Sequence, residues 1–312
     1  MEKLQQIQQS IITSKELLRT HFNVKKSFDL AQSNTKKEVD NILEMQHKEI
    51  PVIPEIDYKS IVNGKVSFDE IANIKRRGAL IIRNVFDDQQ ASEWNDEVGE
   101  YILSNDYFTK SVEREGMDQY FSQLKSGAPQ IFGLYWSRPQ MLARQSQSMA
   151  NTKRFLNSMW NVASPHGDEF DPNNDFIYAD RIRRREPGDE TLGLSPHIDG
   201  GSFERWTDPA FQKVYRSVFN GDLKSYDPWN AAHRTHTKEY KSPAVCSMFR
   251  TFQGWTALTA QGPSDGTLSL IPIANSMSYL LLRALQDDIA PDSLCDATPG
   301  RPLLISPDYH QD

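Results

Sequence analysis

Two adjoining stretches, "SFDEIANIKRRG" and "ALIIRNVF", spanning residues 67 to 86, change hydrophobic period from one residue to the next. No other feature constrains the fold class as tightly. Ser67, three residues ahead of Glu70, forms a capping-box pattern, and Gly78 offers a left-handed stop, so the first stretch predicts a short helix. The second is a β-branched apolar run of strand length. Asp87 and Asp88 can cap a following helix in which Ala91, Trp94, Val98, Tyr101 and Ile102 recur at helical spacing. Helix, strand and helix in direct succession require a mixed fold.

Upstream, residues 1–78 read as polar and helical. "TKKEVDNILEM" predicts a helix opening at Thr35, boxed by Glu38, with Val39, Ile42 and Leu43 on one face and a stop at Pro51 and Pro54. Residues 106–165 mix Gly, Pro and aromatics, apart from a helix predicted over "SMANTKRFLNSMW" with Phe155, Leu156 and Met159 inward. From residue 175 the pattern turns to period two, with an alternating strand running into a Pro187-Gly188-Asp189 turn. Asp208 and Pro209 then start a helix with Phe211, Val214, Tyr215 and Val218 buried and Gly221 at its end. A second Asp-Pro start at Asp227 predicts another short helix.

Three strands are expected at 244–252, 254–261 and 266–274, and a helix over "NSMSYLLLRALQDD". Helices first and short strands afterwards argue for an α+β protein built on a sandwich or jelly roll. The expected division is a helical N-terminal extension, residues 1–78, and a partial β-domain, residues 79–312. A sandwich of this kind needs about eight strands and the sequence supplies about six, so the core reads as incomplete at its C-terminal end.

Composition narrows the function. The formal net charge of −7 opposes a general nucleic-acid binder. No run approaches the apolar length of a membrane span, and the N-terminus lacks the apolar stretch of a signal peptide, so a cytoplasmic protein is expected. Two cysteines, Cys246 and Cys295, are too few for a disulfide framework and read as small buried hydrophobes. The remaining partner is a small-molecule substrate; nothing in the sequence addresses oligomeric state.

One motif carries chemistry. In "LGLSPHIDGGSFERW" the side chains of His197 and Asp199 share a strand face. Two imidazoles and one carboxylate on one face of a metal make the non-haem iron(II) site used with dioxygen, and this pair would supply two of the three. With seven His in the chain, roughly a third of such a match is expected by chance, so the spacing alone also fits a hydrogen-bonded pair at a strand end.

Longer blocks add to the pair. Residues 53–86, 134–149, 178–206, 219–234 and 246–272 together resemble the YbiU-like family of proteins containing domain of unknown function 1479. That family is similar to the iron(II)- and 2-oxoglutarate-dependent dioxygenases, whose fold is a double-stranded β-helix of the jelly-roll, cupin-like type. The resemblance implies that His197 and Asp199 bind iron(II), that 2-oxoglutarate is the cosubstrate, and that an unidentified small molecule is oxidised.

It also implies a second His on a later strand, in a segment resembling W-H-x-D-x-x-H, often followed by a basic anchor for 2-oxoglutarate. Neither follows here. His310 is the only His after Ile305 and lies in a loop-like context, while His233 and His236 read as surface residues on a short helix and a polar stretch. The expectation is a C-terminally truncated relative of a longer enzyme. Arg181, Arg183 and Arg185 share one strand face and could meet a dicarboxylate, or simply be a solvated edge. Arg250, on an apolar strand, is the candidate for a partly buried cation. Tyr135, Trp136, Trp206, Trp229 and Trp255 could line a pocket but read mainly as core. The competing readings are an inert β-sandwich binding module and a metal hydrolase, the latter lacking the further Asp/His cluster that two-metal sites require.

Overall fold

The computed structural model describes residues 2–107, 110, 130–177, 179–185, 188, 208–236, 249–262, 265 and 267–293. Two long helices come first, α1 (Glu2–His21) and α2 (Val24–His47). Helix α2 begins at Asn23, whose side chain accepts from the Lys26 amide. Thr35 therefore lies in mid-helix, and the predicted start there is corrected. A Thr-x-x-Glu pattern caps a helix only where the preceding chain leaves helical geometry, and here it does not. Val39 and Leu43 are correspondingly exposed, and the inward face of α2 is Val24, Ser27 and Ala31.

Strand β1 (Glu55–Asp57), helix α3 (Tyr58–Val62), helix α4 (Phe68–Arg77) and strand β2 (Ile81–Arg83) follow. The expected capping box is present: Ser67 Oγ accepts from the Glu70 amide, and the Glu70 carboxylate accepts from the Ser67 amide. Gly78 takes φ +69, and a Cβ there would meet Ala274 Cβ at 3.2 Å, so both the turn and the packing require glycine. β1 and β2 pair in parallel, with Ile56 opposite Ile82. This pairing crosses residue 78.

Asp87 caps helix α5 (Asp88–Ser104), accepting from the amides of Gln89 and Gln90, and Trp94, Val98 and Ile102 form its buried stripe as expected. Strand β3 (Ile131–Phe132), helix α6 (Arg138–Gln145), helix α7 (Gln147–Asn157), the hairpin strands β4 (Ala163–Ser164) and β5 (Gly167–Asp168), and strand β6 (Ile182–Arg183) make up the middle of the chain. β6 pairs antiparallel with β3, and Ile182 packs with Phe132, Val98, Ile102 and Tyr107. Helices α8 (Pro209–Val214) and α9 (Arg216–Phe219), a 3-10 turn at Arg234–His236 and helix α10 (Ser276–Arg283) complete the described elements.

The largest apolar cluster joins the two ends of the chain. Ala31 of α2, Phe211, Val218 and Phe219 of α8 and α9, and Leu281 and Leu282 of α10 are buried together. Lys15 and Arg19 of α1 donate to the carbonyls of Ala290, Ser293, Leu285 and Gln286, which ties α1 to the segment that follows α10. Ser27 Oγ donates to Phe219 O at 3.0 Å, and Gly221, with φ +76, closes this contact: a Cβ there would fall 2.8 Å from that hydroxyl.

The described residues thus form a mixed helix-and-sheet fold with three two-stranded sheets and no closed barrel. The strands expected over 254–261 and 267–274 are corrected, since no described residue there lies in a strand. Leu268, Leu270, Ile271 and Trp255 are exposed. An apolar run becomes a strand only when a neighbouring chain takes up its N–H and C=O groups along its length, and here a single amide, that of Ala274, donates to another described segment, at Arg76 O. The Asp227-Pro228 helix start is a turn instead, in which Asp227 Oδ1 accepts from the Trp229 amide. Among the described residues no helix is long and apolar enough to cross a membrane.

Candidate functional site

The end of α7 and the segment around Trp229 lie side by side. The Asn161 amide donates to Trp229 O and the Ala231 amide donates to Asn161 O, each at 2.9 Å. Trp160, Trp229 and Phe252 pack on one another with ring centroids 5.4 to 6.4 Å apart, and Trp229 Nε1 donates to Lys75 O. This aromatic floor holds the segment 229–236 against the β4–β5 hairpin. Pro165 and His166 form the hairpin tip, with Gly167 at φ +107.

Glu169 at the base of the hairpin joins the two. Its side chain is 1% exposed. Its carboxylate accepts from the His233 amide at 3.3 Å and from the Thr235 hydroxyl, and faces His236 Nε2 at 3.2 Å. Burial pushes the carboxyl up, but the bonds from Thr235, His233 and Ser164 and the His236 imidazole outweigh it and hold Glu169 below its ordinary value. His233 is held at φ +68, a left-handed conformation uncommon for a side chain other than glycine, and its amide bond to Glu169 fixes that turn.

Arg234, between these two histidines, turns inward. Its Nε donates to Asn230 O at 2.8 Å and an Nη to Pro228 O at 3.2 Å, while the guanidinium lies 5.8 Å from the Trp160 ring centroid and 5.9 Å from that of Tyr215. Burial pulls its pKa down, yet contacts with Tyr215 and Tyr226 raise it overall, and burial pushes the Tyr226 phenol up. The guanidinium is therefore held by backbone carbonyls and packed against aromatic rings.

On the outer side of this turn is a cleft of about 430 Å³ lined by His166, His233, His236, Lys213 and Asp208 with the first residues of α8. Asp208 is the N-cap of α8 and accepts from the Ala210 amide at 2.8 Å, and that short helix carries Lys213 to the cleft wall. A second cleft of about 390 Å³ shares Lys213 and His233 and adds Arg216, Asp222, Tyr226 and Asp227. Among the described residues no group of three or more His, Cys, Asp or Glu is arranged to hold a metal ion. The described part of the chain therefore does not supply an iron centre; the first cleft offers hydrogen-bond donors instead.

The predicted ligands His197 and Asp199 lie outside the described residues, as do His310, Cys246, Cys295 and Trp206. Arg181 and Arg183 are exposed on either side of the buried Ile182, but β6 covers only Ile182–Arg183, Arg184 is also exposed and Arg185 is half-buried, so the alternation does not extend to Arg185. Partial desolvation and neighbouring Arg185 lower the pKa of Arg183 without discharging it. Arg250 is corrected: it is exposed in an irregular segment rather than partly buried on a strand, because Phe249 and Phe252 turn toward Trp160 instead. Trp229 is core, whereas Trp136 and Trp255 are exposed. The short helix expected to carry His233 is a turn. His166 and Glu169 went unread in the sequence; the Ser-Pro-His-Gly-Asp run, rich in turn residues, was the available signal.

The Gig2-like family profile matches residues 4–312. The chain is 44% identical over 261 residues to the uncharacterized protein YbiU of Escherichia coli (strain K12), an alignment covering 83% of this chain and 62% of that protein, so the chain spans under two thirds of this curated relative's length. It is similar to the solved structure of a Salmonella typhimurium LT2 protein provisionally named an oxidoreductase, with a TM-score of 0.85 and 40% identity over 97% of this chain and 73% of that one. The hypothetical protein JW0805 from Escherichia coli superposes with a TM-score of 0.81 at 39% identity, covering 97% and 72%. The Candida albicans protein GlcNAc Inducible Gene 2 gives 0.71 at 28%, covering 88% and 57%. With a family profile matched along almost its whole length, the chain belongs to the Gig2-like family, which contains domain of unknown function 1479.

Proposed function

We propose that this chain is an oxidoreductase of the iron(II)- and 2-oxoglutarate-dependent type, acting on a small molecule in the cytoplasm. The observation that carries the reading is the His197-x-Asp199 pair, two of the three ligands such an iron site needs. The provisional naming of the Salmonella relative as an oxidoreductase supports the reaction class. On this reading the fold is of the double-stranded β-helix type, and a further ligand completes the His197-x-Asp199 pair.

When bound, iron(II) would supply the centre at which dioxygen, the oxidant, couples decarboxylation of 2-oxoglutarate to succinate and carbon dioxide with oxidation of the substrate. The chain's own contribution is orientation and charge. Arg181 and Arg183, exposed on either side of the buried Ile182, are the proposed contacts for the carboxylates of 2-oxoglutarate, with Arg250 as a further exposed cation.

The test is oxygen-dependent succinate formation from 2-oxoglutarate by the chain loaded anaerobically with iron(II). Succinate above the metal-free control supports the reading. None, in a sample that demonstrably binds iron, favours the inert binding module.

A further inference from the structure

We propose that the cleft between the β4–β5 hairpin, α8 and the 233–236 turn binds a phosphate group, either inorganic or on a small phosphate monoester. The proposal stands independently of the iron reading, because none of its residues belongs to the proposed ligand pair or to the β6 arginines.

Three observations converge on an anion. The wall carries nitrogen donors from three separate elements: His166 from the hairpin, Lys213 from α8, and His233 and His236 from the turn. Behind them sits Arg234, whose guanidinium hydrogen-bonds to the carbonyls of Asn230 and Pro228. The His233 backbone is held left-handed at the cleft wall by its bond to the sealed Glu169, a fixed distortion of the kind that clusters at ligand sites.

The opposing charges are accounted for. Glu169 is turned away from solvent and engaged by His233, Thr235, Ser164 and His236. Asp208 directs one oxygen at the Ala210 amide. The adjoining cleft is lined by two carboxylates, Asp222 and Asp227, beside Arg216, which makes it the poorer anion site.

The donor types select the ligand. A planar carboxylate is best met by the guanidinium fork, whereas lysine and imidazole act as separate point donors suited to a tetrahedral oxyanion. The only guanidinium in this turn faces inward, committed to carbonyls and aromatic rings. A volume of about 430 Å³ is within the range of small-molecule sites and leaves room for more than the phosphate itself.

The experiment is calorimetric titration of the whole chain with inorganic phosphate at pH 6.0 and low salt, where imidazoles carry more of their charge. The expected result is saturable binding with a Kd in the millimolar range. Lys213→Ala should weaken it about tenfold, the loss of one charge-assisted contact. His166→Gln should weaken it severalfold. His233→Gly, which removes the imidazole but retains access to the left-handed backbone, should do the same. Lys48→Ala, at an exposed lysine that caps the C-terminus of α2 and pairs with Glu44, should leave affinity unchanged.

Lys213 and His166 are exposed, so their variants should stay folded; circular dichroism checks this, and either one suffices. No saturation by phosphate, equal effects of Lys48→Ala and Lys213→Ala, binding that requires an added divalent cation, or succinate bound as tightly as phosphate would each overturn the proposal.

Discussion

The Glu169 carboxylate is sealed from solvent, yet His236, whose Nε2 it faces at 3.2 Å, is 61% exposed. One interaction thus joins a buried anchor to a surface group. It ties the β4–β5 hairpin to the turn that carries two of the cleft's lining residues, His233 and His236.

Replacing Glu169 by glutamine should therefore loosen that turn. Keeping the shape but removing the charge is expected to lower stability at pH 7 by about 1–3 kcal/mol, the range for hydrogen bonds to a charged buried group. Because the folded carboxyl is held below its ordinary value, its stabilisation is present above the unfolded pKa, about 4.3, and is lost as pH falls through the folded one. Urea midpoints of wild type and Glu169→Gln should differ at pH 7 and converge toward pH 3. A constant gap across that range would show that the charge is not what matters.

Gly221→Ala tests the joint between α2 and the end of α9. The new methyl would sit in a left-handed backbone and 2.8 Å from Ser27 Oγ, so the hydroxyl must leave Phe219 O. A loss of about 1–3 kcal/mol is expected. Gly64→Ala is the control: its φ is also positive, +61, but nothing lies within 4 Å, so the smaller part of the effect should remain. Equal losses at both positions would mean that the Ser27 contact contributes nothing.

Ser67→Ala removes one side of the capping box on α4. Loss of about 1 kcal/mol is expected, and Ser67→Asp, which can still accept from the Glu70 amide, should recover most of it. Thermal unfolding of the two variants decides this. Thr35→Ala, at a position with the same sequence pattern but in mid-helix, should cost nothing comparable and could even stabilise α2.

Asp199→Ala is expected to abolish iron(II) binding by the chain, read by equilibrium dialysis. Retained binding would remove the His197-x-Asp199 pair from the proposed function and leave the phosphate cleft untouched.

What the sequence determined was local. The Ser67 and Asp87 caps, the Gly78 and Gly221 stops, and the buried stripe of α5 depend on interactions within a few residues, and each appears where the pattern predicts it. Family membership was legible for a related reason, since long blocks of residues carry far more information than one spacing.

The tertiary structure decided whatever depends on a partner distant in sequence. The apolar runs at 254–261 and 267–274 do not become strands, because pairing needs a neighbour that periodicity cannot supply. Thr35 does not start a helix, because Asn23 already has. His166, Lys213, His233 and His236 are separated by up to 70 residues and carry no shared motif; they meet because Glu169, Arg234 and the Trp160–Trp229 pair fold the hairpin and the turn together. A histidine read alone is a surface residue, and only its neighbours in space make it part of a cleft.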